Sequence, residues 1–518
     1  MKLAKSLMLC SVAGLFATGG AQAADLPIKA KAVEYVRVCS LYGAGFWYIP
    51  GTDTCIKLGG YLRVETAFNT NSMYNGAYSA QGGAQNRLTN FYTTRSREDL
   101  NIDTRTATEY GVVRTFADLT FSWTTDAYSG GTPGATVYSQ LGSTGASAPN
   151  NANAGAIAGG TVGVYYAFIQ FAGFTMGKAV SQFDAPWNNY PGNNFDGLVG
   201  GGGTVTGVNQ LSYTADFGQG ISATISAQDP TAYGQSNLFN LGVPPSGASF
   251  TGGSFGSNDF AGTAAPDIIG MVRVDQAWGL FQFSAAAHNN RAGYYAAPVA
   301  NAGTELAGHP SDKWGWAAQA ALSIKNIPTG PGDTINVQAV YTDGATRYNF
   351  QSLAPQNFAM FGSSSAFYQS VGIAAAADGV FDNGTGISTV QTWGARGAYT
   401  HNWDPFWNTA IYGAYAQLHY GNGGSGLICN RILAVAAIAL APGGCNPDFN
   451  IAQAGIITRW TPVKNLTFSG EFTYSHLDQK FTGTVNPGNV VSIGKPGVVY
   501  ELKDQDSFQF LARAQRNF

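Results

Sequence analysis

The last twelve residues, Ser507 to Phe518 (SFQFLARAQRNF), restrict the possible fold more than any other stretch. Read as a strand, Phe508, Phe510, Ala512, Ala514 and Phe518 fall on one face. Ser507, Gln509, Arg513, Gln515 and Asn517 fall on the other, because successive side chains of a strand point to opposite sides. An amphipathic strand leaves an edge that must be paired; in a closed barrel that edge is the seam. The predicted partner is Cys55–Phe68, which would shut an all-β, antiparallel transmembrane barrel.

The same alternation recurs along the chain. Cys55–Phe68 sets Ile56, Leu58, Leu62 and Val64 against Lys57, Tyr61, Arg63 and Glu65. Asn90–Thr106 puts Arg95, Arg97, Asp99, Asn101, Asp103 and Arg105 on one face, with Leu100 and Ile102 on the other. Paired strands then follow across short turns: 112–123; 162–172 with 174–183; 210–216 with 221–228; 267–275 with 280–289; 314–325 with 334–343; 390–401 with 408–420; and 451–460 with 465–478. Long polar loops separate the pairs. The count is about sixteen, with fourteen or eighteen as neighbouring possibilities, and an even number suits a bacterial barrel. After the N-terminus no stretch has the ~20 apolar residues of a membrane helix. Charged residues are only 11% of the chain, with 68 Gly, 31 Phe and 26 Tyr. That balance fits a barrel with an apolar outside and a polar lumen.

The N-terminus predicts export. Lys2 and Lys5 precede an apolar run from Leu7 to Ala17 and the small-x-small site Ala21-Gln22-Ala23. Residues 1–23 therefore read as a signal peptide cut between Ala23 and Ala24. Residues 24–54 read as a periplasmic or lumenal segment, and 55–518 as the barrel. Without Lys2 and Lys5, the 27 basic residues fall to 25 against 30 acidic, a net of −5, which is no nucleic-acid footprint. Four cysteines remain in an oxidising compartment, and Cys39–Cys55 with Cys429–Cys445 is the favoured of three pairings.

The segment from Tyr35-Val36-Arg37-Val38-Cys39 through Gly45-Phe46-Trp47-Tyr48-Ile49-Pro50-Gly51-Thr52-Asp53-Thr54-Cys55 to Leu58-Gly59-Gly60-Tyr61-Leu62-Arg63 resembles the N-terminal signature of the alphaproteobacterial general porins. The resemblance implies a sixteen-stranded homotrimer in the outer membrane of a Gram-negative bacterium, with its third loop folded into the lumen. It also implies a last strand, ending at Phe518, that the barrel-assembly machinery reads. Arg516 departs from that pattern, which usually carries an aromatic or apolar residue there.

The third long loop is expected at Asp184–Thr206, with Asp184 and Asp196 as its acids and Gly200–Gly203 for bending. Facing it, the wall strands offer Lys57, Arg63, Arg95, Arg97, Arg105, Arg114 and Lys178. Acids on the loop and bases on the wall would set a transverse field at the constriction, ordering small hydrophilic solutes and ions and penalising apolar ones. The competing expectation is that several arginines simply pair with Glu65, Asp99, Asp103 and Asp118.

Enzyme signatures are poor. Gly252-Gly253-Ser254-Phe255-Gly256 fits G-x-S-x-G, but no helix pattern follows it. The five histidines lack i, i+4 metal spacing, and no metal or cofactor is expected. A passive diffusion channel is the leading expectation. A substrate-specific channel, or an outer-membrane adhesin or enzyme, stands behind it. Two segments stay open: Ala24–Ser40, in the lumen or the periplasm, and the apolar run Ile432–Pro442. That run would be a short buried helix, a cover over the mouth or a contact with a neighbouring subunit.

Overall fold

A computed structural model describes residues 37–69, 83–87, 91–124, 161–187, 198–202, 207–231, 234–350 and 357–518. The predicted signal peptide, with Ala23 and Ala24 at its expected cleavage site, and Asp196 lie outside these residues.

Sixteen antiparallel strands close on themselves. In chain order they are β1 Cys55–Asn69, β2 Tyr92–Thr108, β3 Gly111–Thr124, β4 Thr161–Phe171, β5 Phe174–Ala179, β6 Val208–Asp216, β7 Ile221–Gln228 and β8 Asp267–Gln276. The second half runs β9 Gly279–Asn290, β10 Lys313–Lys325, β11 Thr334–Asp343, β12 Gln391–Asn402, β13 Trp407–His419, β14 Phe449–Val463, β15 Leu466–Gln479 and β16 Gln505–Asn517. Each pairs with its sequence neighbour, and β16 closes on β1, from Tyr61 opposite Asn517 to Asn69 opposite Gln509. This is the expected count and the expected seam.

Alternation decides which face is which. Outward Leu62, Val64, Phe121, Ile225, Phe283 and Phe510 are exposed on the isolated chain, as residues meeting lipid must be. Inward Glu65, Asp99, Asp118, Gln282, Gln338 and Glu471 are buried. Trp403, Trp407 and Trp460 ring the short-turn end and Trp123, Trp314 and Trp393 the other, forming two aromatic girdles. The two-residue turn between β4 and β5 needs left-handed backbone, with Ala172 at φ 49° and Gly173 at φ 85°. A side chain on Gly173 would run into the carbonyl of Thr214.

β5 is shorter than its expected extent, ending at Ala179 rather than Phe183. Phe183 leaves the wall to pack inside the lumen against Tyr348, with ring centroids 4.6 Å apart. The third loop thus starts at Val180 instead of Asp184. Below the barrel, Trp47–Tyr48 pairs with the start of β1, and Cys39–Cys55 staples this hairpin. The ring of Phe46 lies under the Arg105 guanidinium at 4.9 Å, placing the hairpin at the short-turn mouth.

The long loops are not the loose polar connectors that their composition suggested. Asn237–Asn240 pairs with Ser257–Asn258 and Ala377–Phe381. Asn357–Gly362, Gln369–Ala375, Tyr500–Leu502, Gly483–Val485 and Ile438–Leu440 form a second small sheet. Helix Gly421–Ile432 lies with them, tied by Cys429–Cys445. Phe239, Phe250, Phe255, Phe361, Tyr420 and Phe481 make a cap core that continues without a break onto the inner face of β12–β14 (Ala398, Ala410, Ala416, Ile451, Ile457). Within the run Ile432–Pro442, Ile432 and Ile438 are buried in that core while Leu433 is exposed, so the run is part of the cap. Ser254 sits in the same cap and donates to the carbonyl of Gly256 at 2.6 Å, with no helix after it.

Candidate functional site

The lumen has two chemically distinct walls, and the inserted third loop lies against one of them. β9 to β14 present small and amide side chains inward. Gln282 Nε2 donates to the carbonyl of Asp184 at 2.8 Å, and Gln319 Nε2 to that of Phe183 at 2.9 Å. Further along the loop, Arg396 donates to the carbonyls of Leu198 (3.0 Å) and Gly202 (2.6 Å). Gln453 Oε1 accepts from Val199 N at 3.0 Å. Asn349, in the loop after β11, accepts from Gly200 N and Gly201 N. Gly200 and Gly201 sit at φ 90° and 148°, and a Cβ on Gly201 would overlap the Gln338 amide. The glycine run expected to let the loop bend does so by permitting this close approach. An inserted loop has unpaired backbone groups, and the wall amides satisfy them.

The other wall, β15, β16 and β1 to β4, is ionic. Directly opposed residues share a face, so the register puts Arg97 beside Arg63, and Arg95 beside Glu65 with Arg513 on its far side. Glu65 accepts from Arg513 Nε at 2.6 Å and lies 3.5 Å from Arg95 Nη1. Arg63 donates to Gln515 Oε1 and Arg97 to Ser122 Oγ, both at 2.8 Å. Their guanidinium groups stack near the rings of Tyr61 and Tyr165. Nearer the short-turn end, Asp103 is held by Arg105 (2.9 Å) and Arg114 (2.9 Å), and Arg114 also reaches Gln170. Lys57 faces inward opposite Asp103, with its Nζ 5.9 Å from the Phe46 ring.

Of the predicted site residues, Arg63, Arg95, Arg97, Arg105, Arg114 and Lys57 lie on this inward face, in two tiers. Arg95, Arg105 and Arg114 are engaged by carboxylates, as the pairing expectation had it. Asp184 is buried at the loop's root, and with Asp118 it lies within electrostatic reach of Tyr166 on β4. Lys178 is a correction: it does not face the lumen. Thr175 shares the lumenal face with Gln170, its partner at 3.1 Å, so Lys178, three residues on, points outward. Arg513, Glu471, Arg459, Arg396 and the wall glutamines were missed. The alternation in Asn465–Asp478 and Ser507–Phe518 already set Glu471 and Arg513 on the inner face.

The cap docks on the upper wall through a buried polar cluster. His288 on β9 meets Asp267 at 2.7 Å and Asp378 at 3.7 Å; Tyr348 donates to Asp267 at 2.5 Å. Backbone amides of Ser236 and Thr346 donate to Asp378. Burial pushes the Asp378 carboxyl up to about 6, against the pull of His288 and those amides.

Comparison with known proteins agrees with this architecture. The family model for a porin subfamily matches residues 25–511. Porin Omp2b of Brucella suis biovar 1 is 31% identical over 279 residues, 53% of this chain and 63% of that protein. Its counterpart in Brucella canis is 32% identical over the same spans. The matched part thus covers less than two thirds of these relatives. Among solved structures, the outer membrane channel DcaP of Acinetobacter baumannii shares the fold with a TM-score of 0.55 at 14% identity. The match covers 91% of this chain and 99% of that one. With a family match over nearly the whole barrel, and a sixteen-stranded wall around an inserted third loop, the chain belongs to the porin subfamily of outer-membrane β-barrels.

Proposed function

We propose that the protein is a passive diffusion channel for small hydrophilic solutes and ions, working without turnover as a homotrimer in the outer membrane. The observation that carries this reading is the one-sided seat of the third loop. Its backbone is fixed to the amide wall by Gln282, Gln319, Gln453 and Arg396, and the ionic wall stands across the lumen from that seat. The gap between them is the constriction. Arg63, Arg95, Arg97 and Arg513 line it on the wall, with Lys57, Arg105 and Arg114 below. Asp184 and Asp196 supply the loop's negative charge. Such a gap selects by width and by field: polar solutes exchange hydration for fixed charges, and apolar ones lose water without compensation. The strand ending at Phe518 is the segment we assign to recognition by the assembly machinery.

Proteoliposome swelling tests the reading. Small sugars are expected to enter and large oligosaccharides to be excluded; folded trimers that give no swelling with any small sugar would end it. A reversal potential across a salt gradient then reads the sign of the field.

A further inference from the structure

The ionic wall carries a strip of aromatic rings that a transverse field does not use. A water-filled lumen calls for polar side chains. Yet Phe116 on β3 lies opposite the inward Asp103, and Phe168 on β4 lies opposite Phe116, so both rings face the lumen. They stack with centroids 5.4 Å apart, and the ring of Tyr166, opposite the inward Asp118, lies 6.4 Å from Phe116. Above them the bulge of β4 inserts Tyr165 as an extra residue between Val164 and Tyr166. Such an insertion re-aims a side chain. The Tyr165 ring comes to 5.5 Å from the Arg97 guanidinium, on the lumenal side. Gly163 leaves it room: a Cβ there would meet the Tyr165 ring at 3.5 Å and Thr120 Oγ1 at 2.7 Å.

These rings are not packing for a loop. Phe183 and Tyr348 inside the lumen, and Tyr412 on β13, are at most 5% exposed. Phe116, Tyr165, Tyr166 and Phe168 stay partly open. Apolar surface left in water marks a place where something binds. The groups at the ring edges are mixed. The Arg114 guanidinium stands 5.0 Å from the Phe116 ring and 5.5 Å from that of Phe168, and it donates to Asp103 and Gln170. The strip leads from Arg97 at the constriction down to Arg114 near the short-turn mouth. Arg114 to Asp118 alone covers about 13 Å of strand, at about 3.3 Å per residue.

We propose that this strip is a binding track for uncharged sugars below the constriction, with pyranose rings lying flat on Tyr166, Phe168 and Phe116 and their hydroxyls bonding Arg114, Asp103 and Gln170. The inference rests on the diffusion channel proposed above and names a solute class that it holds in transit. A pyranose has faces of C–H groups and an edge of hydroxyls, each of which both donates and accepts. The strip offers the matching halves: flat rings for the faces, and for the edge a guanidinium that only donates beside a carboxylate that only accepts. An anion fits less well. Asp99, Asp103 and Asp118 stand along the same strip, and Asp103 already holds Arg105 and Arg114. Several weak contacts in series let a solute enter and still leave, as conduction requires.

Single-channel currents of the full-length protein in a planar bilayer test the track. Maltotriose is expected to block the ion current reversibly and saturably. Phe168→Leu keeps apolar bulk and loses the flat face, so the half-blocking concentration is expected to rise about fivefold, the loss of one stacked ring. Phe168→Tyr, which keeps the face, is expected to block as wild type does. Each variant is read against its own sugar-free current, so a change in pore width does not enter. Conducting wild-type channels that no concentration of maltotriose blocks, or a Phe168→Leu channel blocked as strongly as wild type, overturn the track. Block by trigalacturonate at lower concentration than by maltotriose overturns the uncharged class. Folded protein that passes no ions ends the channel reading itself, a result obtained without any sugar.

Discussion

The amide wall and the ionic wall of the same barrel solve opposite problems. β10 to β13 carry a single mid-strand charge, Arg396, and their alanines and glutamines are buried under the third loop and the cap. Across the lumen, β1 to β3 and β16 hold Arg63, Arg95, Arg97 and Arg513 around Glu65. A buried backbone wants neutral amides, which donate and accept without a desolvated charge. A water-filled passage tolerates charge, because lumenal water and opposite neighbours compensate it. One continuous sheet can therefore be a docking face on one side and a selective surface on the other, and inward residue choice alone makes the difference.

The largest expected break is at Glu65, whose side chain is 1% exposed between Arg95 and Arg513. Glu65→Ala leaves two arginines facing each other without their shared carboxylate, costing about 3–5 kcal/mol as for other broken buried pairs. Heat-modifiability on gels should show a much lower unfolding temperature, and an unchanged one would mean that lumenal water already screens the pair. Next comes Arg396→Ala on the amide wall. It removes charge-assisted hydrogen bonds to Leu198 and Gly202, worth about 1.5–3 kcal/mol each, and frees the loop rather than the barrel. Single-channel recordings should show higher and noisier conductance with the barrel's melting little altered. A change in melting without a change in conductance would mean that the loop does not set the narrow point.

The two walls were unequally legible in the sequence. The ionic one could be read directly: Arg95, Arg97, Asp99, Asp103 and Arg105 alternate with Leu100 and Ile102, and period-two patterning assigns faces without knowledge of distant partners. The loop's seat could not, because it depends on Asn349 meeting Gly200 and Gln453 meeting Val199 across large sequence separations. The cap core was hidden for a related reason. Its strands, such as Ala377–Phe381, are short and buried on both faces, so they do not alternate. Lys178 went to the wrong face because β5 is only six residues long, too short for its period to fix parity, and the bulge at Tyr165 shifts the register beside it.

Smaller effects probe the ionic wall as a filter. Neutralising Arg63 and Arg97 to glutamine removes two neighbouring charges while keeping side chains that can bond Gln515 and Ser122. A charge at contact in water is worth about 1 kcal/mol, so the anion-to-cation permeability ratio should fall by about fivefold at low salt and less at high salt. A reversal potential that does not move would place the selective point elsewhere.

The smallest effect belongs to the cap. Lys495, in the loop before β16, is buried against the Phe361 ring at 4.1 Å and bonds Gln369 Oε1 at 2.5 Å. Burial lowers its ammonium to about 8 from an ordinary 10.5. The folded cap thus holds fewer protons than the unfolded one between those values, so its stability rises with pH from about 8 to about 10.5 and is flat below. Near-ultraviolet circular dichroism should show the cap's melting rise by a few degrees over that range. Lys495→Met should remove the dependence while keeping the packing on Phe361. If the variant kept the slope, the proton would belong to another group; if wild type had none, the hydrogen bond and the ring would already hold the ammonium as well as water does, and the cap would resemble the ionic wall in that respect.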